Sequence, residues 1–171
     1  MSNQPNSDNK KASNALRVAR ISIFTALSVI GSFITPYPPI PTIALDSSPG
    51  FFAGLYFGVI DGFIVTGLGH IVTALINGFP FGNLHFIIAV GMALAGGAMG
   101  LVNKTNKKWG LIPAAITGVT INTVLSLVML PQMDWPVLLS LITVPLLLAA
   151  SLNAALAAIV YVAVRARRLR A

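Results

Sequence analysis

The chain has 171 residues, 56% of them hydrophobic and only 9% charged, with a mean hydropathy of +0.84, which excludes a water-soluble globular domain. Its formal charge of +7 comes from eleven basic against four acidic residues, and the lack of cysteine excludes disulfides, thiolate catalysis and cysteine metal sites. From Ile21 to Asn103 the only charges are Asp46 and Asp61, and from Trp109 to Val164 only Asp134, so both runs belong in lipid.

A bilayer crossing takes about 20 helical residues. The pattern therefore predicts an all-α integral membrane protein, a six-transmembrane helix bundle with an irregular, partly membrane-dipping first outer loop. The expected division is a polar cytoplasmic tail over 1–14, a six-helix transmembrane domain over 15–164 and a basic cytoplasmic tail over 165–171. Spans are expected near 15–35, 43–60, 62–79, 84–103, 111–131 and 137–164. The first apolar run follows a polar stretch and has no small-residue cleavage pattern after it, which points to a retained span and not a signal peptide.

The basic residues fall in three places: Lys10, Lys11, Arg17 and Arg20; Lys104, Lys107 and Lys108; Arg165, Arg167, Arg168 and Arg170. With six spans these places share one side, and retention of Lys and Arg in the cytoplasm puts both termini there. The basic excess is thereby assigned to topology and anionic lipid headgroups. Nucleic acid is not an expected partner, because no basic segment is interleaved with aromatics.

Span one places Ala15, Ala19, Ser22 and Ala26 on one helical stripe. Small-residue rows let helices approach closely within a membrane, so this stripe meets either another span of the chain or a partner. Span two is interrupted. Ser48-Pro49 reads as a helix start, with Ser at the N-cap, and Asp61-Gly62 as the following turn. A helix of about twelve residues reaches only about 18 Å, too short to cross. Pro36, Pro38, Pro39 and Pro41 precede it, so irregular chain must run down to membrane depth, where it is tolerated only if buried in protein or lining a wet cavity. Broken spans of this kind point to a binding site. Asp46 sits in that stretch, and an ionisable group at membrane depth costs about 3 kcal/mol and needs a partner. It serves either as a tie for the short helix and its loop or as an acceptor for hydroxyl or amide donors of a solute.

Span three aligns Thr66, His70, Thr73 and Asn77 on one face, running toward an outer loop with Phe79, Phe81, Asn83 and then His85. His70 suits a helix-to-helix hydrogen bond as well as ligand contact, and His85 lies nearer the outer mouth. Spans five and six add Asn122, Ser126, Ser140, Thr143 and Asn153, and Pro145 is expected to bend span six. Trp135, beside Asp134 at the outer rim, reads as an aromatic-belt residue or a wall of the site. The candidate substrate-binding set is Tyr37, Asp46, Ser47, His70, Asn77, Phe79, Phe81, Asn83, His85 and Trp135, which suits a flat aromatic group carrying hydroxyls.

No catalytic residue, cofactor or metal is expected. There is no nucleophile elbow, and two histidines fifteen residues apart without a carboxylate cluster form no recognisable ligand set. No phosphate-binding loop is present either, so any ATP is hydrolysed by another subunit. Asp46 with His70 leaves open a self-sufficient proton-coupled secondary transporter.

The whole length, with its six spans, its small-residue row and the glycine-spaced segment Gly58-Val-Ile-Asp-Gly62-Phe-Ile-Val-Thr-Gly67, resembles the substrate-binding S components of energy-coupling factor (ECF) transporters. The resemblance implies a multi-pass protein of a prokaryotic plasma membrane that captures a vitamin between its outer loops and performs no chemistry. It implies that Ala15, Ala19, Ser22 and Ala26 contact a transmembrane coupling subunit driven by two ATP-binding subunits, and that the chain reorients in the bilayer to release its cargo. The family prefers Ala-x-x-x-Ala, and Ser22-Ile-Phe-Thr-Ala26 departs from it in one residue. The segments 43–50 and 69–82 with His85 are similar to a subgroup for cobalamin or its precursor alpha-ribazole. A thiamine-related pyrimidine or pantothenate fits the same chemistry.

Overall fold

In the computed structural model, which describes residues 7–105 and 109–168, the apolar runs become helices and no strand forms among the described residues. They are α1 (Ser7–Ser32), α2 (Ser48–Phe57), α3 (Val59–Ile76), α4 (Leu84–Thr105) and α5 (Leu111–Val124), which continues as a 3-10 helix, Leu125–Gln132. A short α6 (Trp135–Leu138) passes through a π-helical turn, Leu139–Thr143, into α7 (Val144–Arg168). Lys107, Lys108 and Arg170 lie outside the described residues.

Five helical stretches are long and apolar enough to cross a membrane: Lys11–Ser32, Val59–Ile76, Leu84–Thr105, Leu111–Met129 and Trp135–Arg168. The expected six spans thus become five and a shorter piece, because α2 has ten residues and extends only about 15 Å. Helix α1 begins at Ser7, inside the stretch expected as a polar tail, and α7 carries Arg165, Arg167 and Arg168 in its last turn, where the helix dipole favours cations.

The prolines at 36, 38, 39 and 41 lack the N–H groups a helix needs and push their neighbours into extended backbone. Residues 33–47 accordingly run as turns, closed by the Leu45 N–H donating to Ile34 O at 2.9 Å. The cap of α2 differs from the sequence expectation. Ser48 is already helical, and the preceding Ser47 makes no side-chain cap. Asn153 of α7 takes that role: its carboxamide oxygen accepts from Ser48 N–H at 2.7 Å, and its amide donates to Ala44 O at 2.9 Å.

Between α2 and α3 the chain reverses at Gly58, whose φ of 108° suits glycine. The turn therefore precedes the expected Asp61-Gly62. Asp61 enters the first turn of α3, where a helix N-terminus favours a carboxylate. It is buried and paired with Arg17, Nε to Oδ1 at 3.0 Å, and with Arg20. Arg20 also lies over the Phe57 ring at 4.8 Å, so this cluster ties α1 to the α2–α3 corner.

Helices α2, α3 and α4 meet through glycines. A Cβ added at Gly62 would fall 2.5 Å from Gly96 O, and one at Gly100 would fall 2.7 Å from Gly54 O, so these backbones are in direct contact. Phe51, Phe52, Leu55, Met99 and Ala114 form the core beside them. A second cluster of Met129, Leu138 and Ile142 packs with Ile40 and Phe81 at the opposite end of the bundle from Asp61. Near it Pro145 has no N–H for the Leu141 carbonyl. A π turn lies just before it, with Thr143 Oγ1 bonded to Leu138 O at 3.3 Å and to the Ser126 hydroxyl at 2.9 Å. Large apolar side chains such as Leu16, Ile23, Phe33, Ile87 and Leu148 are exposed, as a lipid-facing exterior requires.

Candidate functional site

Because Asn153 holds Ala44 and Ser48 against α7, the loop between α1 and α2 is drawn inward, and Asp46 ends 4% exposed. Below the Met129 cluster this leaves a cavity walled by the loop (Thr42, Ile43, Ala44, Asp46, Ser47), by His70 of α3, by Phe81 and by His85 of α4. Ile88, Met92, Leu125, Met129, Ile142 and Leu146 supply apolar walls, and Asn122, Ser126 and Asn153 complete the polar lining. The space in which the centre of a water molecule fits is about 50 Å³, enough for a few waters. No Lys or Arg lines it among the described residues.

Asp46 Oδ1 accepts from the Ser47 hydroxyl at 3.1 Å, and the Thr73 hydroxyl, likewise buried, stands beside the carboxylate as a further donor toward it. A buried carboxylate needs donors of this kind. His70 Nε2 lies 3.2 Å from His85 Nδ1, and His85 Nε2 accepts from Phe81 N–H at 3.2 Å. His85 is wholly buried, with the rings of Phe79 and Phe81 packed on it at 5.7 and 5.5 Å. Among the described residues no group of three or more His, Cys, Asp or Glu assembles that could hold a metal ion. The arrangement suits binding of a flat, largely apolar solute with a few polar atoms.

Of the residues singled out from the sequence, Asp46, Ser47, His70, Phe81 and His85 line this cavity, and the other five stand apart from it. Tyr37 is half-buried in the loop. Asn77 ends α3, its amide donating to Thr73 O at 2.9 Å. Phe79 lies behind His85 and stacks on Phe86. Asn83 is exposed, as is Trp135 at 52%. Asn122, Ser126 and Asn153 stood out in the sequence as amides and a hydroxyl in apolar spans, but nothing local there marked them as facing one cavity. Met92 and Met129 carried no sequence signal beyond hydrophobicity. Elsewhere, Ala15, Ala19, Ser22 and Ala26 are all exposed on the outer face of α1, while Ser28 and Gly31 of the same helix face Gly69 and Leu45.

No curated protein and no solved structure matches the chain. A family model does, that of the ECF transporter, substrate-specific component, over residues 16–165. That stretch runs from the first turns of α1 almost to the end of α7 and includes every cavity residue. The chain belongs to the family of substrate-specific components of ECF transporters.

Proposed function

We propose that the cavity between the 42–47 loop and α3, α4, α5 and α7 receives a small, neutral, ring-bearing vitamin or vitamin precursor for import, and that alpha-ribazole suits it better than intact cobalamin. Family membership makes the chain a multi-pass membrane protein and the binding subunit of a transporter, not an enzyme, working with other ECF components. The observation that supports the finer reading is the lining itself. Apolar walls enclose a buried carboxylate, a histidine pair and a few neutral polar side chains, with no basic side chain among the described residues. Pantothenate would bring a carboxylate that nothing there neutralises. A corrin is much larger than a nucleoside, so cobalamin would require a greater displacement of the walls than alpha-ribazole. A thiamine-related pyrimidine is the nearest competitor, since its ring and amine meet the same chemistry.

The proposed topology follows the basic residues: both termini cytoplasmic in a prokaryotic plasma membrane, with the cavity toward the outside. Asp61, Arg17, Arg20, Lys104 and Arg165 gather at the end of the bundle away from the cavity, which supports it. The outward row Ala15, Ala19, Ser22 and Ala26 is proposed to seat the transmembrane coupling subunit, with ATP hydrolysed on two further subunits.

Mass spectrometry of the small molecule that co-purifies with the chain from native membranes tests the substrate. Alpha-ribazole or a close benzimidazole riboside is the expected result, and a different vitamin overturns the choice. Affinity purification from the same membranes is expected to recover a coupling subunit and ATPases. Uptake by the purified chain alone, driven by a pH gradient in liposomes, would instead establish a secondary transporter.

A further inference from the structure

The hydrogen bonds of the histidine pair have a fixed direction. A backbone N–H cannot give up its role as donor, so Phe81 N–H, 3.2 Å from His85 Nε2, requires a lone pair on that nitrogen. A neutral imidazole with Nε2 unprotonated carries its proton on Nδ1. His85 Nδ1–H then donates across 3.2 Å to His70 Nε2, which must be unprotonated in turn. A cationic His70 is excluded by the same chain, because its Nε2–H would point at the proton already on His85. The remaining proton of the pair sits on His70 Nδ1. Both nitrogens of His85 are occupied and its ring is 0% exposed, whereas His70 is 7% exposed and forms part of the cavity wall. Asp46, 4% exposed, lines the same cavity, with the Ser47 and Thr73 hydroxyls beside its carboxylate.

We propose that His85 is a positioning residue that holds His70 as the Nδ1–H tautomer, so that the cavity offers a neutral ligand the His70 Nδ1–H donor together with the Asp46 carboxylate as acceptor. The ligand is then a molecule with an in-plane lone pair, on a heterocyclic nitrogen or a carbonyl oxygen, together with a hydroxyl or N–H donor. The second part of this proposal rests on the cavity being the solute site; the tautomer rests on the hydrogen bonds alone. An anion meets the Asp46 carboxylate with no basic side chain in the lining to offset it, and is disfavoured. Those that lack the in-plane acceptor leave the His70 donor unsatisfied in a buried site.

Two measurements test this separately. In the full chain carrying 15N-labelled histidine in lipid nanodiscs, two-bond proton–nitrogen spectra at neutral pH report which ring nitrogen is protonated. Both rings are expected neutral with the proton on Nδ1, and a His70 Nε2–H signal in the wild-type chain overturns the proposal. His85→Phe keeps the ring volume and removes the donor, so the His70 proton is expected to move to Nε2. A His70 signal that stays unchanged there shows that His85 does not position it. Should His85→Phe fail to fold, His85→Asn replaces it: an amide N–H in place of Nδ1–H is expected to preserve the His70 signal, and its loss counts against a purely donor role.

The ligand half is read with alpha-ribazole and the matching indole riboside, in which C–H replaces the free ring nitrogen. The wild-type chain is expected to bind the indole riboside about tenfold or more weakly, with the difference gone in His70→Phe. Asp46→Asn is expected to weaken alpha-ribazole by a similar factor. Equal binding of the two ribosides to the wild-type chain overturns the donor role of His70. If neither riboside binds, the alpha-ribazole reading falls, and the spectra still uphold or overturn the histidine assignment.

Discussion

Asn153 joins parts of the chain that are otherwise far apart, since the Ser48 amide it receives lies 105 residues away. Truncating it leaves Ser48 N–H and Ala44 O buried without partners, at about 1–3 kcal/mol each. Asn153→Ala is therefore expected to lower the unfolding temperature clearly and to release the 42–47 loop, so that solute binding is lost with it. Thermal unfolding in detergent with and without ligand checks this, and Ser151→Ala, at an exposed hydroxyl bonded within its own helix, should change little. The sequence displayed Asn153 as a polar residue in an apolar span and so as a residue in need of a partner. Its partner was not legible, because a cap supplied from another helix leaves no periodic or local trace. Asp46 was more readable: four prolines and an aspartate in an otherwise apolar region mark irregular chain at depth.

Helix contacts were legible in part from glycine and alanine spacing, but spacing does not say which face turns inward. The glycines of α2, α3 and α4 turn inward, and the alanines of α1 outward. Gly62→Val is expected to cost at least the about 1–3 kcal/mol of an overpacked core, because its Cβ meets backbone that cannot rotate away. Gly97→Ala, whose nearest neighbour would be a side-chain carbon of Phe63 at 3.4 Å, should leave stability nearly unchanged. Folded yield and melting temperature separate the two. On the outer face, Ala19→Trp is expected to abolish ATP-driven uptake while leaving solute affinity within about twofold, since it adds bulk only where the chain is exposed. Parallel loss of affinity would place that row against the chain's own helices. The Gly58 turn was misplaced by three residues in the sequence reading because Asp61-Gly62 looks like a turn pair. Paired with two arginines, however, Asp61 serves better in the first turn of α3.

For the molecule as a whole, membrane residence and an all-helical bundle followed from composition alone, as hydrophobic runs of this length admit no other structure in lipid. The count of full crossings did not, because a ten-residue helix plus a folded loop occupies the same stretch of sequence as a span. The cavity was the least legible feature, since it is assembled from five separate stretches of chain. Its tightness carries a prediction of its own. A nucleoside enters only if the 33–47 and 77–83 loops move, so saturating alpha-ribazole is expected to slow amide hydrogen exchange in both segments by at least about tenfold. Unchanged exchange in both would show that the ligand enters elsewhere.

Helix α2 also sets an electrical property of transport. Its ten residues leave about 15 Å of helix beneath Asp46, so a solute in the proposed site would rest near the middle of a hydrocarbon layer of about 30 Å. There it would have passed roughly half of the membrane field. Every elementary charge on it would add about 2.3 kcal/mol of electrical work per 100 mV over the full crossing. The cavity has no basic wall among its described residues, and its Asp46 carboxylate opposes an anionic cargo. A neutral cargo, as proposed, would be imported at the same energetic cost in a depolarised cell as in a fully energised one.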